Sequence, residues 1–316
     1  MTITTIAQAG LLAALLALAA TASAHAAPDA LPNQGAGAAL FLSDDSEGFS
    51  TRRATLAYLP AYAGRDDHAG VRYAANEHAQ AGWSRSAQQL SGVYRKVDPA
   101  TANGFNVDAG WSRQGGRGLL TLDAGFHGAL NPGRSVELFL NRDWVETRNA
   151  LEQGVHFTLA GGALEQRIGQ HLTLVGMAGY QDFSDGNARR HLRAKLIVQP
   201  RVDLGLTLQA RYRLYHSGAD AGPRTYFNPE RYAEAMFAVG WRRRMAGWMG
   251  SLTAGAGRQR VGDAPPTPSR LVEMALESPA RGTGSLRLRA GLNQSASFGG
   301  PDYTWHYAQA EWLLGF

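Results

Sequence analysis

Apolar and polar residues alternate with a period of two along most of the chain, from about residue 36 to Phe316. In G-F-N-V-D-A-G-W-S, Phe105, Val107, Ala109 and Trp111 face one way, while Asn106, Asp108, Gly110 and Ser112 face the other. In L-T-L-D-A-G-F-H-G, Leu120, Leu122, Ala124 and Phe126 oppose Thr121, Asp123 and His127. Between these runs, Gly115-Gly116 supplies the positive φ angles of a tight hairpin turn. Further on, Leu192, Ala194, Leu196 and Val198 oppose Arg193, Lys195 and Ile197. Every second residue from Leu204 to Leu214 is apolar, against Gly205, Thr207, Gln209, Arg211, Arg213 and Tyr215. Such alternation marks strands whose two faces meet different surroundings.

A half-buried sheet in water alternates too, and a large exported β protein in solution fits that much. The polar face shifts the balance. It carries glycine, threonine, asparagine and charges of both signs, while the apolar face carries almost nothing polar. Runs of about ten residues with one purely apolar face, separated by turn residues, are the signature of a transmembrane barrel. The chain therefore predicts an all-β, up-and-down antiparallel barrel of about 16 strands (14–18). The strands are expected near 36–42, 51–60, 70–75, 88–97, 103–113, 118–129, 134–145, 152–168, 171–182, 189–199, 203–216, 230–243, 247–261, 270–279, 284–293 and 304–316. If the first strand rises from the periplasm, even-numbered strands end in short periplasmic turns and odd-numbered strands in longer extracellular loops. The clearest long loops are 217–229 and 262–269, while 61–69 is long for its side and 114–117 short. The last strand is expected to pair with the first and leave no edge. Its alternate residues Trp312, Leu314 and Phe316 share a face. They resemble the C-terminal signal of outer-membrane proteins, which implies recognition by the barrel-assembly machinery.

Composition adds an address. Residues 11–20, L-L-A-A-L-L-A-L-A-A, precede the small-residue run T-A-S-A-H-A-A. This reads as a signal peptide over 1–26, cut after Ala26 or, as second choice, after Ala24. The run is short for a membrane-anchoring helix. The barrel is then expected over 27–316, in the outer membrane and its lipid, with 27–36 as a short linker. There is no cysteine, so disulfides and thiolate metal sites are excluded. The formal charge is +5, carried almost wholly by arginine, since Lys96 and Lys195 are the sole lysines.

Chemical motifs are sparse. The nine histidines form no metal-binding spacing, no nucleophile elbow occurs, and no phosphate-binding glycine pattern or nucleic-acid motif is present. No metal, cofactor or catalytic group is expected. Asp123 and His127 share an inward face with Asp108 on the next strand, but a polar lumen wall is the default for this architecture. The clusters at 43–48 (S-D-D-S-E-G) and 182–187 (D-F-S-D-G-N) read as solvated turns. The inward arginines are more telling. Arg193, Lys195, Arg211 and Arg213 lie on neighbouring strands, with Arg193 and Arg211 expected at similar heights; Arg242, Arg287 and Arg289 point inward elsewhere. Either they form a basic stripe that concentrates anions, or they pair across the lumen with Asp108, Asp123, Glu137 and Glu234. The sequence leaves both open.

One stretch reaches further. In R-T-Y-F-N-P-E-R-Y-A-E-A-M-F-A-V-G-W-R-R-R, residues Tyr226, Phe227, Pro229, Tyr232, Trp241 and Arg242 match a Tyr-Phe-x-Pro step and an aromatic-Arg strand end. This segment resembles the C-terminal outer-membrane barrel of the bacterial cellulose synthase complex. The resemblance implies a pore that passes an exopolysaccharide chain out of the periplasm without covalent chemistry. That family carries a tetratricopeptide-repeat solenoid before its barrel; here no repeat of about 34 residues occurs, so a periplasmic scaffold is expected to be a separate protein. A general or anion-selective small-solute porin is the alternative reading. A lipid- or polysaccharide-modifying enzyme is the third. From local physics alone, Pro229 fixes φ at a strand start and the aromatics pack a long loop.

Overall fold

The computed structural model describes residues 33–218, 225–279, 284–297 and 300–316. The expected signal peptide over 1–26, most of the linker and Arg224 lie outside these residues. Sixteen strands follow in order: β1 (Gly35–Asp45), β2 (Ser50–Gly64), β3 (Asp67–Gln80), β4 (Trp83–Val97), β5 (Gly104–Gln114), β6 (Arg117–Asn131), β7 (Arg134–Trp144), β8 (His156–Ile168), β9 (Leu172–Phe183), β10 (Ala188–Arg201), β11 (Leu206–Ser217), β12 (Arg231–Met245), β13 (Trp248–Val261), β14 (Thr267–Glu277), β15 (Gly284–Ser297) and β16 (Gly300–Gly315). A short helix α1 (Arg148–Gln153) interrupts the series between β7 and β8. Each strand pairs antiparallel with its sequence neighbours, and β1 pairs with β16 from Gly35↔Gly315 to Asp45↔Trp305. The sheet closes on itself, so no strand edge is left without a partner. No helix among the described residues is long and apolar enough to cross a membrane, which leaves the strands to do so.

The closure places the C-terminal residues as their pattern predicted. Trp312 and Leu314 lie opposite Ala38 and Ala36, and the Phe316 N–H donates to the Gln34 carbonyl at 2.9 Å. The Gly115-Gly116 turn adopts positive φ of 52° and 79°, as a two-residue hairpin of this kind requires. The outward face is apolar along the middle of the strands: Leu90, Trp111, Leu120, Leu192 and Phe237 are all exposed on the isolated chain. Its burial against lipid, not against protein, removes this surface from water. The start of β1 and the end of β16 lie together at one end, Gly35 opposite Gly315. The two longest connections, 145–155 and 218–230, lie at the other, which is therefore the extracellular end.

Three expectations need correction. The strand β3 runs over Asp67–Gln80, well beyond the expected 70–75. The 61–69 connection shrinks to a turn at 65–66, and β3 meets β4 through Ala81-Gly82. The upper half of β3 reads A-N-E-H-A-Q because it rises above the lipid, where an outward Glu77 costs little. Second, 152–155 do not open the eighth strand; α1 and its caps occupy them, and β8 starts at His156. Third, the β10–β11 turn lies at 202–205 with a bulge between Val198 and Arg201, not at 200–202. Arg193 therefore lies opposite Arg213, and Lys195 opposite Arg211.

The barrel tolerates little added bulk where neighbouring backbones meet across an inward glycine. A Cβ on Gly110 would sit 2.5 Å from the Leu90 carbonyl oxygen and 2.8 Å from Ser91 Cα. Gly110→Val is expected to lower stability by about 1–3 kcal/mol, the usual cost of overpacking. The check is the temperature at which the folded, fast-migrating band disappears on an unboiled gel; an unchanged temperature contradicts this.

Candidate functional site

Described parts of the chain's own loops pack into the extracellular mouth. Thr147 caps α1, its side chain accepting from the Ala150 N–H at 3.3 Å, and Gly154 ends it with φ 76°. Six residues make no stable helix alone, so packing must hold this one. Leu151 is buried against Leu119 of β6 and Trp144 of β7, with Phe49 and Trp83 around them. On the other flank Ala150 and Val155 pack with Phe183 and Tyr226. Glu146 pairs with Arg53 of β2 at 2.6 Å, and the Thr147 hydroxyl donates to the Thr225 carbonyl at 2.6 Å. Partners drawn from β2, β6 and the β11–β12 loop lie around the ring, and a segment reaches all of them by lying inside it.

The Tyr-Phe-x-Pro residues belong to this plug. The Tyr226 ring stacks on Phe183 at 4.5 Å; its hydroxyl donates to Asp185 Oδ1 at 3.1 Å and accepts from Asn187 Nδ2 at 2.9 Å. Burial pushes this phenol above the usual tyrosine range. Phe227 meets Tyr232 edge-on, and its carbonyl accepts from Arg189 at 2.7 Å. Tyr232 in turn stacks on Tyr215 at 4.8 Å and donates to Gln259 at 2.9 Å. Arg213 covers the Tyr232 ring at 4.9 Å, and Arg189 covers Tyr215 at 4.7 Å. Pro229 lies in the loop just before β12. Trp241 does not join them. It is an odd number of residues from Tyr232 on the same strand and faces lipid near the periplasmic end, opposite Leu206. The two acidic turns at 43–48 and 182–187 are closed internally: Asp45 Oδ1 accepts from the Glu47 and Phe49 N–H groups, and Asp185 Oδ1 from that of Asn187.

Below the plug, all seven predicted cations face the lumen, but they do not form one free stripe. Arg213 pairs with Glu234 at 3.1 Å; Arg211 bonds Gln209 at 2.8 Å and lies 3.9 Å from Glu273. Arg287 lies between Glu277 at 3.1 Å and Glu311 at 3.8 Å. Asp108 pairs with Arg72, a cation that the alternation alone did not single out. Among the described residues Asp123 and Glu137 pair with no arginine, and His127 bonds the Ala102 carbonyl at 3.0 Å. The side chains of Arg193, Lys195, Arg242 and Arg289 make no ion pair or hydrogen bond among the described residues. The pairs run along the wall, mostly between adjacent strands, and of the four carboxylates expected as partners of these cations only Glu234 serves among the described residues.

Two of the unpaired cations meet in a recess of about 360 Å³ on the lumen wall of β12–β16. Arg242, Arg289, Glu273, Ser251, Thr253 and Tyr307 line it. Tyr307 also belongs to a row of inward rings, stacked on Trp305 at 4.8 Å and on Phe41 at 6.3 Å. Charged forks, hydroxyls and the edge of an aromatic row together offer what a polyhydroxylated ring needs: donors, acceptors and a weakly apolar face.

In fold, the chain is similar to a barrel described as "Bacterial polysaccharide outer membrane secretin", with a TM-score of 0.66 at 12% identity, over 91% of this chain and 100% of that one. It is an outer-membrane-type β-barrel. Weaker likenesses include Pseudomonas aeruginosa OccK10 (OpdN), at TM-score 0.44, 11% identity and coverage of 91% and 100%, and OccK5 (OpdH), at 0.45, 9% and coverage of 90% and 98%. The sequence matches no family model and no curated protein. On this outer-membrane barrel, sequence reasoning missed α1 and the recess. A Thr147 cap followed by Gly154 was the one local signal for the helix. The recess joins residues from five strands and had no local signal.

Proposed function

We propose that this barrel is an outer-membrane pore through which an exopolysaccharide, cellulose-like or anionic, leaves the periplasm. The recess around Tyr307, Arg289 and Arg242 carries this reading, because it provides sugar-compatible contacts directly on the translocation path. The fold neighbour described as a polysaccharide secretin agrees with it. Translocation is passive, with weak repeated contacts and no covalent step; Asp123 and His127 serve as wall. Insertion by the barrel-assembly machinery and a separate periplasmic scaffold protein belong to the same proposal. The unpaired Arg193 and Lys195, the first exposed and the second half-buried, favour a second reading, an anion-selective porin for small solutes.

Calorimetric titration of the refolded barrel with a neutral and an anionic hexasaccharide tests the recess. Arg289→Gln removes a charged donor worth about 1.5–3 kcal/mol, so affinity is expected to fall about tenfold or more. Tyr307→Ala is expected to weaken binding in the same direction. Binding of either sugar that both variants leave unchanged, or no binding at all, would remove the recess as a saccharide site.

A further inference from the structure

The lumen uses one face of the wall; the other carries an unexplained charge cluster. At the extracellular ends of β10–β14, the lipid-facing positions are Arg190, His216, Arg231, Arg258, Arg260 and Arg270. Their parity is fixed by the exposed apolar residues below them: Leu192, Tyr212, Phe237, Leu252 and Val272 on the respective strands. All six side chains are exposed. The register makes them neighbours. Arg190 lies opposite His216, and His216 opposite Arg231. Arg260 and Arg258 lie opposite Ala233 and Ala235 of β12, and Arg270 lies opposite Ala256 of β13. The result is one oblique band along the upper rim of the apolar belt.

Among the described residues none of these five arginines forms an ion pair or a side-chain hydrogen bond. Asp182, Glu230 and Asp263 fringe the band without reaching it. The corresponding rim elsewhere is quieter: Arg52 lies opposite Glu77, and Arg142 is bonded to Thr158 and His156. Unpaired like charges on adjacent strands repel one another, and a lipid-facing rim gives them no carboxylate to meet. What does lie at that height is the headgroup layer of the outer leaflet. Guanidinium groups bind phosphate through paired, charge-assisted hydrogen bonds. A band of five suits a ligand with more than one phosphate on a rigid saccharide, better than a single small headgroup.

We propose that this band binds the phosphate groups of a phosphorylated glycolipid of the outer leaflet. The site rests on the outer-membrane setting of the barrel and is independent of what passes through the lumen. It anchors the β10–β14 wall, which carries Arg189, Arg213 and Tyr232 of the plug on its inner face.

Native mass spectrometry of the refolded mature barrel, with purified bis-phosphorylated lipid A and its dephosphorylated form, tests this. The wild type is expected to hold the phosphorylated form about tenfold or more tightly than the other. The R231Q/R258Q/R260Q variant is expected to lose that preference, whereas R231K/R258K/R260K keeps most of it, and R52Q on the other wall leaves it intact. Lumen conductance should stay unchanged in all of them, so loss of lipid binding is separable from loss of the pore. If the triple glutamine variant does not fold, R258Q and R260Q singly are each expected to weaken binding about two- to threefold. Equal affinity for dephosphorylated lipid A, equal retention of phosphatidylglycerol, or a folded glutamine variant that binds like the wild type would overturn the proposal.

Discussion

Replacing residues 146–154 with a short glycine-serine turn raises single-channel conductance several-fold. The segment removes itself from the lumen mouth together with Leu151, which fills the space between Leu119, Trp144, Phe49 and Trp83. The strands stay closed, because β7 and β8 pair below it from Arg134↔Gln166 to Trp144↔His156. A milder form of the same change is Tyr226→Ala. It loses the stack on Phe183 and the bonds to Asp185 and Asn187. Truncating a buried aromatic costs about 3 kcal/mol, and if the plug swings as a unit this moves its closed–open balance by about a hundredfold. The trace should then show frequent open events where the wild type shows few. Conductance unchanged in both variants would mean that the plug does not limit passage.

The other large effect concerns closure. Deleting 312–316 removes the partners of Gly35, Gly37, Ala36 and Ala38 on β1 and takes Leu313 from its packing with Leu59, Tyr62 and Val93. An open edge inside a bilayer leaves backbone groups without hydrogen bonds, at several kcal/mol each. No folded, heat-modifiable barrel is expected from this truncation, in micelles or in cells. Phe316→Ala separates closure from recognition, since the backbone of residue 316 still pairs with Gln34. That variant is expected to fold in micelles yet to insert poorly in cells, measured by fractionation of the outer membrane. Normal insertion would dismiss the C-terminal residues as an assembly signal.

The parts of the fold that are legible in the sequence are those where lipid writes the pattern. Phe105 to Trp111 and Leu120 to Phe126 must be apolar at every second position, because nothing polar survives on that face. Strand number and the closing strand follow from this. Where a strand rises out of the lipid the constraint ends, and the A-N-E-H-A-Q end of β3 looks like loop. The helix escapes the pattern for a different reason. Its buried residues, Ala150 and Leu151, are adjacent and too few to show a 3.6 period, and the flanking Val145 and Val155 continue a strand-like reading. The two-residue slip between Arg193 and Arg211 comes from the turn, which lies at 202–205; the bulge between Val198 and Arg201 shifts the register back by one residue. Inward orientation is legible for every cation named; its partner is not. Glu273 reaches Arg211 from three strands away, a contact set by barrel curvature that no local spacing encodes. Within the Tyr-Phe-x-Pro segment the loop aromatics share a location, whereas Trp241 goes to lipid through parity alone.

The most direct measurement is single-channel conductance of the plug-shortened barrel in a planar bilayer, titrated from the periplasmic side with neutral and anionic oligosaccharides of increasing length. A polysaccharide path predicts blockade whose residence time grows with chain length and shortens when Arg289, Arg193 and Lys195 are replaced by glutamine. A steady open current that no oligosaccharide interrupts would contradict export of a polysaccharide and leave a pore for small solutes.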